Sequence, residues 1–539
     1  MERETRGGKR KTRLSSCAWL TLCVLLFSAV PWAADPVPFS WEKVAQREAT
    51  LIAWMKTQKP VVETYIQGLK PGVYSPEPTA DLYFLGRLRF GGEHPHASVP
   101  GDFDEQVAFG RARGDRSLRA YNGEEWTYFP VGFAAMIFPD AHGLNPDTYL
   151  YQYEGREYLG KTECLRFEVT PREPQEGRFF GHIWVETGGY NMVRFRGTFT
   201  PPNARALVYL HFDGWRAELQ PNLWAPAYVY VEESDRLHVS PELRLKGVTL
   251  LWGYAPAPAA GKPAADRPRE VLPVLRTRTA PFSEAPSGGR NRIVEFLQRD
   301  GLLAAEGSVE ARLNEIVEQI RSDNRLPGAA VRCRVLLTTP LEAFSAGNTI
   351  ILSRGLLDVI PNEHVLTVIL AHQLAHILRG DSDIGVAPGT PSIFDERDRP
   401  ALPWVKADRE KEEQAAAETL TLLRNSRYGR SLGDTAGFFE EVRNSEEVLP
   451  NLSEARFGLS LSFQFTAPFL KALSRSANAA GNGDGRLCAL GSRSYIQLTG
   501  ENVTLGDGTC APAQRPLEVL FWRPHLTMNS SAELEAASQ

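Results

Sequence analysis

Apolar residues change their spacing along the chain, and the changes predict segments of different kinds. A helix with one apolar face is predicted over residues 41–55, and Ser40, just before it, can cap its start. The apolar positions of this helix are Trp41, Val44, Leu51, Ile52 and Met55. Between residues 149 and 252 apolar and polar residues alternate, which is typical of strands with one buried face. Helical spacing returns in the apolar stretch 362–380. The pattern predicts a helix, then an antiparallel meander, then a mainly helical region.

Two hairpins are predicted at glycine-containing turns in the meander. Strands 149–153 and 157–169 flank Glu154-Gly155-Arg156, and strands 179–186 and 190–199 flank Thr187-Gly188-Gly189. Further strands are predicted at 206–212, 224–232 and 243–252.

The helix followed by a long meander resembles the curved half-barrel of lipoprotein-carrier proteins, on its general pattern and on stretches 180–186 and 224–226. The resemblance implies lipid or membrane-surface contact through this region. A curved sheet can also simply bury its own core, and aromatic residues in alternating strands favour that interpretation.

Composition divides the chain into two predicted domains. Segment 254–291 is rich in proline, alanine and glycine, which is typical of a linker. We therefore predict an α+β multidomain protein: a half-barrel-like, β-rich domain at 35–253, the linker at 254–291, and a mainly helical domain with a small sheet and a C-terminal extension at 292–539. Within the last domain, residues 350–352 predict a strand, and residues 407–425, 438–449 and 456–473 predict helices.

The first 34 residues have the pattern of an export signal. Six basic residues precede an apolar run at 18–30, and Trp32-Ala33-Ala34 offers a cleavage site. The run is too short to span a bilayer comfortably, although an uncleaved anchor is the alternative. Because the sequence has no other long apolar segment, we expect an exported protein, periplasmic or extracellular, that is soluble after cleavage.

Charge and cysteine content refine this expectation. The formal net charge of the 539 residues is −5, which does not favour a nucleic-acid partner. Cys488 and Cys510 lie in one glycine-rich region, and an oxidising compartment makes them the disulfide candidate. Cys164 and Cys333 are flanked by apolar strand-like residues and are expected to be buried thiols.

The predicted helix at 362–380 carries His372-Gln373-Leu374-Ala375-His376. In an H-E-x-x-H helix, two imidazoles one turn apart hold a metal, and the Glu takes a proton from the metal-bound water. Gln373 stands in place of that Glu, and a carboxamide cannot carry a proton away near neutral pH. The segment predicts a metal site without its general base. Two core histidines without a metal are the alternative.

A third metal ligand is expected on the helix predicted at 407–425, because a catalytic zinc usually takes three protein ligands. Its acidic residues are Glu410, Glu412, Glu413 and Glu418. Spacing does not choose among them, and such an acidic run is also typical of a solvated helix face.

Several stretches together resemble the family-48 zinc metallopeptidases, which include the CaaX prenyl proteases and bacterial envelope quality-control proteases. They are residues 342–345, residues 348–357, and the His-Gln-Leu-Ala-His helix with Arg379-Gly380-Asp381 after it. The resemblance extends over roughly residues 309–439. It implies zinc as the metal and Glu412 as the third ligand, because stretch 412–416 is similar to the family's E-x-x-A-D pattern.

Departures from the family pattern also carry information. Ala416 stands where the family has an Asp that supports the site, and Ala467, in Thr466-Ala467-Pro468, corresponds to a His that contacts the transition state. Losing a positioned base costs about 10²–10⁴ in rate, and losing a supporting partner about 10–100-fold. Asp381 is expected near the metal, as a supporting group, a substrate contact or a turn residue.

The sequence leaves three hypotheses for function. The first is an exported, catalytically impaired metallopeptidase homologue that binds zinc through His372, His376 and Glu412 and holds a polypeptide in the old cleft. The second is an active zinc metalloendopeptidase of envelope protein turnover, with Glu363 or Asp381 considered as the base. The third is an envelope adaptor whose β-rich domain binds lipid or a protein partner.

Overall fold

The structure is a computed structural model. It describes residues 39–70, 77–90, 103–104, 117–119, 125–127, 134–140, 143–159, 162–175, 177–200, 209–234, 245–254, 292–304, 306–381, 392–394, 407–430, 432, 435–476, 496–499 and 502–505.

The N-terminal region begins with helix α1 (Trp41–Met55). Its strands are β1 (Val61–Lys70), β2 (Glu77–Arg87), β3 (Arg89–Phe90), β4 (Phe103–Asp104), β5 (Ser117–Arg119), β6 (Glu125–Thr127), β7 (Tyr149–Leu159), β8 (Thr162–Pro171), β9 (Phe179–Glu186), β10 (Met192–Phe199), β11 (Tyr209–Gln220), β12 (Leu223–Ser234) and β13 (Leu245–Trp252). Nine of them form one antiparallel sheet in the order β2-β1-β13-β12-β11-β10-β9-β8-β7. The predicted helix and meander are confirmed.

Helix α1 packs on the sheet through an apolar face and one buried ion pair. Val44, Leu51 and Met55 are buried, as the helical spacing predicts. Glu48 is buried with them, and Arg216 of β11 donates to both of its carboxylate oxygens, with Nη2 2.7 Å from Oε2. The charge of Glu48 is therefore paired where water cannot reach it.

One predicted hairpin is confirmed and the other is wrong. The turn between β9 and β10 falls at residues 187–189 as expected. Strand β7, however, runs through the predicted turn at Glu154-Gly155-Arg156 and pairs with β8 along its length. Gly155 has a φ of 144°, and the register shifts between Tyr153 and Gly155. The glycine thus serves a β-bulge, which lets the strand continue instead of reversing.

The second region is mainly helical and contains a small sheet. Its helices are α2 (Arg292–Arg299), α3 (Ser308–Asp323), α4 (Arg354–Val359), α5 (Glu363–Arg379), α6 (Arg409–Asn425), α7 (Thr435–Ser445), α8 (Pro450–Ser453), α9 (Leu461–Gln464) and α10 (Ala467–Ser476). Strands β14 (Arg332–Leu336), β15 (Glu342–Ala346), β16 (Thr349–Ser353) and β17 (Leu459–Ser460) form a sheet in the order β14-β16-β15-β17, and β18 (Ile496–Thr499) pairs with β19 (Asn502–Leu505). The predicted α+β class is confirmed.

Local signals define the ends of α5. The side chain of Asn362 accepts a hydrogen bond from the Val365 amide at 3.1 Å and caps the start. Gly380 ends the helix with a φ of 74°, which glycine adopts without strain. Both boundaries agree with the prediction.

The helix predicted at 456–473 is wrong, because the chain forms β17, α9 and α10 there. The hydroxyl of Ser460 accepts from the Phe463 amide and starts a new helix. Phe465 then leaves the helical conformation, with φ −102° and ψ 81°. The apolar spacing of this segment reflects burial of short pieces rather than one continuous helix.

The nine-stranded sheet and the helical region share one hydrophobic core. Tyr65, Tyr83 and Trp252 of the sheet belong to the same buried cluster as Ile293 and Leu341. The indole nitrogen of Trp252 also donates to the carbonyl oxygen of Gly301 at 2.7 Å. Side chains from both sequence regions therefore bury one another.

Several predicted features lie outside the described residues: the signal at 1–34, the linker beyond Tyr254, and Cys488 and Cys510. Cys164 and Cys333 are buried free thiols, as expected, and burial raises the pKa of each to about 12. Among the described helices, none is both long and apolar enough to cross a membrane.

Candidate metal centre

Helices α5 and α6 bring three candidate ligands to one buried point. His372 Nε2 lies 3.1 Å from Glu412 Oε2 and 3.3 Å from His376 Nε2. His376 Nε2 lies 3.4 Å from the same Glu412 oxygen. Glu412 follows His372 by 40 residues in sequence. The three residues are the one cluster of metal-binding type found among the described residues.

The spacing of these atoms fits a zinc ion. Nitrogen and oxygen ligands held about 2.0–2.1 Å from zinc at tetrahedral angles lie about 3.3 Å from one another. The three measured separations, 3.1, 3.3 and 3.4 Å, are close to that value. The donor set of two imidazoles and one carboxylate is also one that zinc uses in peptidases.

Each imidazole has an oxygen near its other nitrogen. Nδ1 of His372 lies 3.3 Å from the hydroxyl of Thr419, which itself donates to the Ala415 carbonyl oxygen at 2.6 Å. That hydroxyl oxygen can therefore accept from Nδ1–H. Nδ1 of His376 lies 3.8 Å from Asp381 Oδ2. Protons on the two Nδ1 atoms leave both Nε2 lone pairs directed at Glu412, as metal binding requires.

Burial and charge favour the ligand forms of these groups. Burial lowers the pKa of His372, only partly offset by its hydrogen bond to Glu412, so the imidazole is neutral near pH 7. Burial acts to raise the pKa of Glu412, but hydrogen bonds from the imidazoles and their electrostatic effect outweigh it and lower that pKa to about 2. A bound metal would take the place of the protons on the Nε2 atoms in those hydrogen bonds. A neutral imidazole beside a carboxylate anion is the state that binds a cation.

Gln373 contacts protein groups beside the centre. Its amide nitrogen donates to the side-chain oxygen of Gln464 at 2.6 Å and approaches the Ala343 carbonyl oxygen at 3.4 Å. Gln464 in turn donates to the carbonyl oxygens of Ala343 and Leu459, at 3.0 and 2.7 Å. The two carboxamides thus connect α5, α9, β15 and β17.

Aromatic side chains cover the centre. The rings of Phe465 and Phe469 lie 4.9 and 6.4 Å from the imidazole of His372, and Phe439 packs 4.2 Å from Phe465. His372 is fully buried and Gln373 is 2% exposed. The low polarity of these walls strengthens electrostatic interactions within the centre.

The candidate ligands chosen from the resemblance lie together, whereas the other acids of the same helix do not. Glu410 and Glu413 are exposed, and Glu412 is 5% exposed at the centre. Asp381 lies next to His376. Ala416 is buried on α6, and Ala467 is the first residue of α10.

Two further residues at the centre, Thr419 and Gln464, were not predicted from the sequence. Thr419 follows Glu412 by seven residues, two helical turns, so helical spacing places it on the ligand face and could have identified it. Gln464 carries no such signal, because it reaches Gln373 only through tertiary structure.

Comparison with known proteins identifies part of this region. Residues 307–393 match the family model of Peptidase family M48, which confirms the family resemblance over that stretch. The matched stretch includes both histidines and ends before Glu412. No curated protein matches the chain.

Among matching solved structures is a crystal structure from Vibrio parahaemolyticus described as an outer membrane lipoprotein-sorting protein domain. It is 12% identical, and the match covers 39% of this chain and 88% of that one with a TM-score of 0.19. A TM-score this low does not establish a shared fold. The description of the antiparallel sheet therefore rests on its own strand order and pairing.

Proposed function

We propose that this chain is an exported, metallopeptidase-like protein that binds zinc through His372, His376 and Glu412, has lost peptide hydrolysis, and retains a role in binding polypeptide. The M48 match over residues 307–393 supports the metallopeptidase-like part. The basic and apolar pattern of the first 34 residues supports export.

The loss of hydrolysis rests on Gln373. When bound, zinc supplies Lewis-acid polarisation of a carbonyl group and of water. His372, His376 and Glu412 would hold the ion, but the neighbouring group that should accept a proton is a carboxamide. It donates to Gln464 at 2.6 Å and has no basic atom at neutral pH. The absence of a general base lowers the expected rate of peptide hydrolysis by a factor of about 10²–10⁴.

The two carboxylates considered as replacement bases have other contacts. Asp381 lies on the Nδ1 side of His376, away from the point where the Nε2 atoms converge, and pairs with Arg379 at 3.1 Å. Glu363 begins α5, more than two turns from His372, and pairs with Arg312 at 2.8 Å. These positions support a centre that binds metal without activating water.

A polypeptide role is supported by strand β15, which runs beside Gln373. One edge of β15 pairs with β16, and Glu342 and Ala343 on its other edge pair with β17. When β17 is not paired there, an extended polypeptide can add to this edge through backbone hydrogen bonds, and this mode of binding needs no general base.

Zinc analysis and a casein cleavage assay on the purified full chain test the proposal. We expect about one zinc per chain and no cleavage above buffer, and His372→Ala should lose the zinc. Gln373→Glu should gain zinc-dependent cleavage, whereas Gln373→Glu combined with His372→Ala should not. Cleavage by the wild-type chain that is abolished by His372→Ala would show an active peptidase. A chain that binds no zinc would favour the envelope adaptor instead.

A further inference from the structure

Residues 449–465, here called the covering segment, connect the nine-stranded sheet to the metal centre. The segment contains α8, β17 and α9 and ends at Phe465, whose ring packs against His372. Buried carboxylates hold it at two points before it reaches Gln373.

The first of these carboxylates belongs to the nine-stranded sheet. Asp81 of β2 is 5% exposed and accepts hydrogen bonds at the start of α8. Its oxygens accept from the Asn451 amide at 3.1 Å, the Asn451 side chain at 3.1 Å and the Leu452 amide at 2.8 Å. The hydroxyl of Tyr65 adds a further bond at 3.1 Å. A carboxylate that accepts several N–H groups fixes their positions strongly.

The second carboxylate lies on β15 itself. Oε2 of Glu342 accepts from three successive backbone amides of the covering segment. They belong to Arg456, Phe457 and Gly458, at 3.0, 2.8 and 3.2 Å. These hydrogen bonds therefore position the residues that follow, Leu459 and Ser460, at the edge of β15.

At that edge the covering segment pairs as a strand. Ser460 and Leu459 lie opposite Glu342 and Ala343 in antiparallel register. Four residues later, Gln464 donates to the Ala343 carbonyl oxygen and accepts from Gln373. Backbone groups of β15 that an added strand would use are thus engaged by the chain's own residues.

We infer that the nine-stranded sheet, through Asp81, fastens the covering segment along the edge of β15 and so closes the site to polypeptide. An extended polypeptide binds only when the segment leaves that edge. The apparent affinity for polypeptide then equals the affinity of the open form multiplied by the fraction of molecules that are open. This inference rests on the proposed function for the nature of the occupant, and it assigns the sheet a regulatory role that hydrolysis and zinc content do not reveal.

Asp81→Asn in the full chain tests the fastening. The side chain of an asparagine at position 81 has an NH2 group in place of one carboxylate oxygen. This group cannot accept a hydrogen bond, so one buried N–H of α8 loses its acceptor. We expect hydrogen exchange of residues 456–464 to become at least ~10-fold faster. Asp140→Asn is the matched control, because Asp140 is a similarly buried carboxylate, bound to Tyr149 and Arg178. Its exchange in residues 456–464 should equal that of the wild type.

Fluorescein-labelled casein, an unfolded polypeptide, tests what the segment excludes. Its apparent affinity should rise in Asp81→Asn by about the factor by which opening rises. A disulfide between Ala343→Cys and Leu459→Cys, which lie opposite each other, should abolish casein binding when oxidised and permit it when reduced.

Three results would overturn the inference: equal exchange in Asp81→Asn and Asp140→Asn, faster exchange in Asp81→Asn without any gain in casein binding, or casein binding to the oxidised double-cysteine chain. The proposed loss of hydrolysis fails on different measurements, zinc content and wild-type cleavage, so the two failures are distinguishable.

Discussion

At the candidate metal centre, single side chains decide which ring nitrogens a cation would meet. Two imidazoles and a carboxylate are useful to a cation only if both Nε2 atoms are unprotonated, and that depends on what lies beside each Nδ1. For His372 this partner is the hydroxyl of Thr419, which follows Ala416 by less than one turn. Helix α6 therefore places a neutral oxygen beside Nδ1 of His372.

Replacing Thr419 by Val should weaken zinc binding about 10-fold, because the methyl group cannot accept the His372 Nδ1–H. Thr419→Ser keeps the hydroxyl and should bind zinc like the wild type. Competition with a chromophoric chelator measures both affinities. Equal affinity in the Val and Ser variants would mean that Thr419 does not orient His372.

A second prediction at this scale concerns Glu342. Burial raises the pKa of this carboxyl above its ordinary value of 4.5, despite bonds from the amides of Phe457 and Gly458. At pH values between the ordinary pKa and the raised one, the folded chain therefore holds a proton that the unfolded chain has released. The group contributes stability at low pH, and this contribution is lost as pH rises through the raised pKa. Between pH 7 and pH 5, the wild type should gain stability relative to Glu342→Gln.

Urea unfolding midpoints at the two pH values measure this gain. Other groups titrate alike in both proteins, so the comparison isolates Glu342. A difference between the two proteins that does not change with pH would contradict the raised pKa.

Helices and strands were predictable where nearby residues in the sequence determine their ends. Helix α5 begins at a capping Asn362 and ends at Gly380, and both signals act within four residues. The turn expected at Gly155 was wrong because a bulge and a hairpin both use glycine, and pairing with β8 decides between them. The helix expected at 456–473 was wrong because Glu342, over 100 residues earlier, holds its first residues in another conformation.

The residues of the candidate site also divide into those that local sequence predicts and those that only tertiary structure brings there. His372 and His376 follow from one helical turn, and Glu412 followed from family resemblance because neighbouring acids have equivalent local spacing. Gln464 lies 91 residues from Gln373 and has no motif of its own. Only the tertiary structure, in which Gln464 of α9 bonds to Ala343 of β15, reveals that Gln373 has a dedicated partner.

The attachment of α1 to the sheet gives a prediction at this scale. Glu48 and Arg216 are almost wholly buried, with side chains 2% and 1% exposed. Glu48→Ala leaves the guanidinium charge buried and unpaired, which should cost about 3–5 kcal/mol of stability. The double variant Glu48→Met with Arg216→Met removes both charges and should cost less. Denaturant unfolding measures each, and equal losses would show that the buried charge is not the cause.

Across the whole molecule, a second buried carboxylate connects the sheet to the helical region. Glu63 of β1 is 1% exposed and accepts from the Thr339 amide at 2.6 Å and from Arg354 at 2.7 Å. Thr339 lies just before β15, and Arg354 follows β16 directly. The sheet therefore holds the strands beside the candidate metal centre as well as the covering segment, and both regions of the chain contribute to a shared core.

This arrangement predicts how the chain behaves when the link between its two regions is cut. The experiment inserts a recognition sequence for a site-specific protease within residues 262–268, in the segment whose composition predicts a linker, and treats the native protein with that protease. Because the halves share a hydrophobic core and buried hydrogen bonds, they should stay together on gel filtration and separate only in denaturant. Glu63→Ala leaves Arg354 without this partner in the interface, so the cleaved halves of that variant should separate at lower denaturant concentration. Halves that separate without denaturant would instead show two domains that fold and act independently, as the composition of 254–291 alone suggests, and the sheet could then not govern access to the metal centre.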